Sequence, residues 1–191
     1  MVTTRNTRAD VIAAAGRLFA ERGYHGTSMR DLGRELGLLG SSLYAHVDSK
    51  QDLLVEVVEE GARLFQQSAA RASALSGSPV DRLRALVAGH IGVLLDNRHV
   101  SRTFLNEADM LDGEHRARVI AARDAYERAF RAVISNGVDT GSFRPDVNPK
   151  IASIFILSIL NAVDRWYRPD GELGRDGLVE GVDLFVISAL S

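Results

Sequence analysis

The 191-residue chain contains no cysteine, which removes disulfides and thiolate metal sites and is compatible with a reducing, cytoplasmic compartment. Apolar runs of membrane length are also missing. The most apolar segment, residues 151–163, is too short to span a bilayer and holds Ser153, Ser158 and Asn161. The apolar stretch near the start is broken by Arg17 and ends in Glu21 and Arg22, so it reads as an amphipathic helix rather than a signal peptide, and no membrane partner is expected. Five histidines, His25, His46, His90, His99 and His115, show no metal-binding spacing. No P-loop, dinucleotide fingerprint or G-x-S-x-G elbow occurs. No metal, cofactor or catalytic residue is therefore expected, and the chain does not read as an enzyme. Strand-like alternation, internal repeats and low-complexity tracts are lacking too. With 46% hydrophobic residues, what remains is a globular, all-α chain.

The starts of its helices are legible. The capping pattern S/T-x-x-D recurs as Thr7 with Asp10, Ser28 with Asp31, Ser49 with Asp52 and Ser78 with Asp81. Pro79 follows Ser78 and Pro149 follows Asn148, in each case where the first helical residue tolerates a missing N–H. Glycine and proline clusters at 75–79, 136–149 and 168–177 are the breaks. These signals predict about nine helices, near 7–22, 28–35, 40–46, 50–74, 79–96, 98–110, 114–136, 149–166 and 176–190.

Residues 26–54, GTSMRDLGRELGLLGSSLYAHVDSKQDLL, read as a helix, a turn and a shorter helix followed at once by another. This arrangement presents one helix to the major groove of DNA. Met29, Leu32 and Leu36 share a face of the first of these helices, and Gly37 supplies a left-handed end. In the short helix Leu43 and Val47 form the one anchored stripe, which leaves Gly40, Ser41, Ser42, Tyr44 and His46 free to approach phosphates and base edges. Lys50 opens the next helix, where the dipole disfavours a cation, and this suggests a phosphate partner. With Thr27, Ser28 and Met29 at the start of the preceding helix, these are the candidate DNA contacts. The net charge of −2 divides unevenly: the first 50 residues hold seven Lys or Arg against five Asp or Glu, so the end with the helix-turn-helix pattern is the positive one.

These residues, with Thr7 to Tyr24 before them, resemble the DNA-binding domain of the TetR family of transcription regulators. The family pattern, roughly GTSMRDIA, GVSxGxLYxHF and SKEDLL, is met by Gly26 to Asp31, Leu43, Tyr44, His46, Ser49, Lys50, Asp52 and Leu53, with departures at Leu39, Gly40 and Val47. The resemblance implies nine helices, a helix-turn-helix DNA-binding domain at 1–48, and a ligand-binding and dimerisation domain at 49–191 whose connector helix is 49–74.

In the C-terminal half, 151–166 is apolar nearly all round and 178–190 has the same character, so each needs cover on two sides. An isologous pairing of both helices with a second copy of the chain supplies it, and Ile154, Phe155, Leu178, Leu184 and Phe185 are the candidate dimer residues. Arg102 and Asn106 lie four apart, next to Phe104 and Leu105. With Asn161, Arg165 and Trp166 they are the candidate ligand residues, read as polar groups beside an apolar pocket. RTFLNE, RVIAARDAYERAFRAVI, GSFRP and RWYRPDG resemble effector domains of TetR regulators of fatty-acid, aromatic-acid and steroid catabolism, which implies an acyl-coenzyme A thioester as effector.

The expected function is a ligand-responsive, dimeric DNA-binding regulator, a repressor released from a palindromic operator on double-stranded DNA. Two alternatives stand beside it: a helical small-molecule-binding protein or enzyme with a vestigial head, and a non-specific architectural DNA protein. Weak positive charge disfavours the second of these.

Overall fold

The computed structural model describes residues 7–38 and 47–191, and these are helical without a strand. Eight α-helices follow in order: α1 (Arg8–Arg22), α2 (Met29–Leu36), α3 (Lys50–Ser73), α4 (Pro79–Asp96), α5 (Arg98–Asn106), α6 (Gly113–Asp139), α7 (Pro149–Trp166) and α8 (Arg175–Leu190). A 3-10 turn, Ala108–Met110, stands between α5 and α6. The helix expected at 40–46 lies outside the described residues.

Each of the four capping patterns forms. Thr7 accepts the Asp10 N–H at 3.3 Å while the Asp10 carboxylate accepts the Thr7 N–H at 2.7 Å, so two of the orphan donors at the start of α1 are satisfied reciprocally. Ser28 and Asp31 do the same for α2, Ser78 and Asp81 for α4, and Ser49 bonds both the N–H and the carboxylate of Asp52 at α3. The hydroxyls of Ser28 and Ser78, and then their N–H groups, hold Asp31 and Asp81 below the usual carboxylate range. Asn148 Oδ1 accepts from Lys150 and Ile151, with Pro149 at the first position of α7. At the other end of α2, Gly37 takes φ 66°, which carries the chain out through a left-handed residue.

The chain forms two compact units. The first consists of Met1–Arg63 and Asn97–Ile120, the second of Leu64–Asp96 and Ala121–Ser191, so α3 and α6 each contribute to both. In the first unit α5 lies against α1, with the Thr103 hydroxyl donating to Gly16 O at 3.2 Å. It also approaches α3 closely enough that a Cβ on Gly61 would stand 2.5 Å from Phe104 Cβ, a contact only glycine permits. Val11, Leu18, Phe19, Leu32, Leu53, Val57 and Phe104 are buried there. The sequence predicts α5 to run on to residue 110, but the helix stops at Asn106. The Glu107 carboxylate accepts the backbone N–H of Tyr24 at 3.1 Å, a tertiary bond that a local reading of propensity does not register.

In the second unit α4 packs against α7 and α8 over a core that includes Phe65, Leu86, Ile91, Leu94, Phe130, Ile134 and Leu160. Two ion pairs fix α8 on α4: Arg175 clasps Asp96 at 2.6 and 2.9 Å, and Arg84 meets Asp183 at 3.0 Å. Arg144 closes the C-terminus of α8, its N–H reaching Leu190 O and its guanidinium Ala189 O, both at 2.8 Å. Among the described residues no helix is long and apolar enough to cross a membrane.

Candidate DNA-binding and effector sites

The turn between α1 and α2 is held from three directions within the first unit. Lys50 Nζ donates to Tyr24 O and Thr27 O, both at 2.9 Å, and lies 4.1 Å from the centre of the Tyr24 ring. The Tyr24 hydroxyl donates to Gln51 Oε1 at 2.7 Å, and Glu107 takes the Tyr24 N–H. Burial, then the charges of Asp112 and Asp52, push the Tyr24 phenol up, so it remains a donor. The N-terminus of α3 and the C-terminus of α5 thus set the position from which α2 departs.

This geometry revises part of the sequence reading. Thr27 is 2% exposed and its hydroxyl donates inward to Leu18 O and Gly23 O, so its side chain closes the turn and does not face DNA. Ser28 is exposed and caps α2, while Met29 is half-buried. Lys50, which the dipole argument assigns to phosphate, directs two of its three N–H bonds into the turn carbonyls. Gly40, Ser41, Ser42, Tyr44 and His46 lie outside the described residues.

The expected ligand residues fall in both units. Arg102 and Asn106 are exposed on α5 in the first unit, where a buried polar pair was expected. The inward face of α5 carries Ser101, Thr103 and Phe104 instead. Within RTFLNE, Thr103 packs on α1, Phe104 on α3, and Glu107 binds the turn at Tyr24, roles that sequence reasoning missed because these partners are remote in sequence. Asn161, Arg165 and Trp166 belong to the second unit. Asn161 is half-buried on the flank of α7, whereas Arg165 and Trp166 are exposed at its end, and Trp166 stands edge-on to the buried Tyr167 at 6.4 Å.

The interior of the second unit holds a polar centre that the sequence reading did not single out. His90 Nδ1 is 3.1 Å from the Tyr126 hydroxyl, and the Phe65 ring lies 4.8 Å from the imidazole and 5.4 Å from the phenol. Burial lowers the His90 pKa to about 3, with Asn161 working against the shift, so the ring is neutral at physiological pH. The same burial pushes the Tyr126 phenol up. A lone histidine in the run LVAGHIGVL was the available signal. Among the described residues no group of three His, Asp or Glu is placed to hold a metal.

The two C-terminal helices have a buried and an open side. Ser153, Ile156, Leu160 and Val163 of α7 face inward, while Ile151, Ile154, Phe155 and Trp166 are exposed. On α8, Leu184 and Phe185 are 68% and 60% exposed. Leu178, expected beside them, is 2% exposed and belongs to the core of the unit. The buried stripe of α8 advances in steps of four, through Val186 to Leu190, and does not follow the seven-residue spacing that would put Leu178 with Phe185. Between the open sides of α7 and α8 lies a concavity of about 610 Å³ lined by Val147, Ile151, Phe155, Ile159, Phe185 and Ala189.

Comparison with known proteins identifies the fold. Residues 11–57 match the profile of bacterial regulatory proteins of the tetR family, and residues 76–190 the tetracyclin repressor-like C-terminal domain. The chain belongs to the TetR family. It is a DNA-binding transcriptional regulator with a helix-turn-helix head. Among its relatives is the HTH-type transcriptional repressor KstR2 of Mycobacterium tuberculosis, 28% identical over 167 residues that cover 87% of this chain and 84% of that one. The TetR-family regulator PfmR of Thermus thermophilus superposes with a TM-score of 0.85 at 31% identity, covering 93% of this chain and 97% of PfmR. AibR in complex with isovaleryl coenzyme A and operator DNA gives a TM-score of 0.83 at 29% identity, covering 93% and 96%.

Proposed function

We propose that the chain is a cytoplasmic, homodimeric repressor, not an enzyme, and that an acyl-coenzyme A thioester binding among the helices of residues 49–191 releases it from a palindromic operator. The observation that carries this reading is the likeness, over nearly the whole chain, to a regulator whose structure contains both isovaleryl coenzyme A and operator DNA. The apolar, aromatic interior of the second unit suits an acyl chain, since each buried methylene contributes roughly 0.8 kcal/mol. Dimerisation through α7 and α8 is supported by their exposed apolar sides, which would otherwise remain in water.

In this reading residues 1–48 bind DNA. Gly40, Ser41 and Ser42 read bases, and Ser28 and Tyr44 contact phosphate. The effector acts through its different affinities for operator-bound and released conformations. The helices α3 and α6, which contribute to both units, carry the change. Titrating the protein–operator complex with coenzyme A, free carboxylic acids and acyl thioesters of several lengths tests the proposal. Release by thioesters alone is expected. Indifference to all three classes would remove the effector assignment and leave the DNA-binding function in place.

A further inference from the structure

Three buried side-chain polar atoms among the described residues lack a hydrogen-bond partner: Arg82 Nε, Asp183 Oδ1 and His90 Nε2. The first two belong to side chains already anchored, Arg82 on Asn136 and Asp183 on Arg84. His90 is different, because its open nitrogen belongs to a ring around which α3, α6 and α7 bring Phe65, Tyr126 and Asn161, with Phe130 set edge-on against Tyr126 in turn. A buried polar atom left open costs its desolvation with no return, and native cores rarely keep one without a reason.

The proton arrangement follows from the neighbours. Among the described residues the Tyr126 hydroxyl has the His90 Nδ1 as its hydrogen-bond partner, and the tyrosine is buried. If Nδ1 carried the hydrogen, both the phenolic O–H and the Nε2 lone pair would be stranded. With the phenol donating to Nδ1, the stranded group is a single donor, Nε2–H. The ring stays neutral at physiological pH, so the complementary group is an uncharged acceptor: a carboxylate would have to be desolvated without a cation to meet it. Asn161 borders the same ring and is half-buried on the flank of α7.

We infer that His90 and Asn161 form the inner polar anchor of the effector site and hydrogen-bond an uncharged carbonyl oxygen within an otherwise apolar ligand. This inference rests on the proposed function and deepens it: the acyl thioester is held by its carbonyl at His90, with Tyr126 as the positioning residue that fixes the imidazole tautomer.

The experiment compares butyryl-, hexanoyl- and octanoyl-coenzyme A with the matched S-alkyl thioethers, which keep the chain and the nucleotide but have a methylene in place of the carbonyl. Release of the operator is followed from equal starting occupancy for the wild type, His90→Phe and His90→Gln. The wild type should respond to a thioester at a concentration roughly tenfold lower than to its thioether, the size of one neutral hydrogen bond. His90→Phe should close that gap, and His90→Gln, which retains a donor, should restore part of it. If thioester and thioether act alike on the wild type, or if the gap survives in His90→Phe, His90 is not the anchor although thioesters remain effectors. If no thioester or thioether acts on the wild type, the effector class and this inference both fall.

Discussion

A lysine at the first position of a helix faces the positive end of the dipole, so its retention needs a compensating interaction. For Lys50 the compensation lies inside the protein: two turn carbonyls and the Tyr24 ring receive the ammonium. Lys50→Met should therefore destabilise the DNA-binding head by about 1–3 kcal/mol, since it leaves two part-buried carbonyls without a donor. Thermal melting without DNA checks this. A purely phosphate-binding lysine would leave the melting temperature unchanged and alter only the affinity. His90 makes a prediction in pH. Its folded pKa of about 3 lies below the ordinary 6.5, so below pH 6.5 the unfolded chain takes up a proton that the native core refuses. Its contribution to stability is thus complete above pH 6.5 and is lost progressively as pH falls toward 3. In melting experiments between pH 7.5 and 4.5, His90→Phe should lose less stability than the wild type. Parallel curves would mean that the ring accepts its proton in the folded state.

At the scale of the helix, α7 and α8 assign opposite consequences to residues of similar chemistry. Phe155 is 64% exposed on the open side of α7, so Phe155→Glu should leave the fold of the chain intact and turn the dimer into a monomer at micromolar concentration. Leu178→Ala should instead cost the fold about 2–5 kcal/mol, the range for a leucine truncated in a core. Sedimentation and melting separate the two, and a Phe155→Glu protein that still sediments as a dimer would move the interface off this face. Helix boundaries were legible wherever the signal is local. A hydroxyl three residues before an aspartate, an asparagine before a proline, and a glycine at the end of α2 each act within one turn, and each forms as read. What was not legible depends on partners distant in the chain. The end of α5 is coupled to Tyr24, 83 residues away, and the inward turn of Leu178 to the packing of α8 on α4. The polar centre escaped because a lone histidine has no spacing to recognise. The DNA and ligand candidates were chosen from helical faces, spacing and the resemblance, which do not register that the Thr27 hydroxyl turns inward to Leu18 O and Gly23 O.

For the whole molecule, the question is how a chain with a net charge of −2 finds DNA. Non-specific affinity comes from neutralising phosphates, and a head with seven cations against five anions in its first 50 residues has little to offer beyond its own site. Lys50, turned partly into the fold, offers less than its count suggests. The acidic remainder further opposes loose association with the polyanion. Discrimination must then come from base contacts made by two heads at once, which requires a two-fold operator with half-site centres about one helical turn apart, roughly 34–36 Å. Genomic fragments enriched on the purified protein should share an inverted repeat. In competition, random DNA should displace it poorly at physiological salt and somewhat better as salt is lowered, because the non-specific component grows as counterion release becomes more favourable. Recovered fragments without dyad symmetry, or random DNA competing as well as the enriched sequence at physiological salt, would contradict a paired-head mechanism and support the architectural reading.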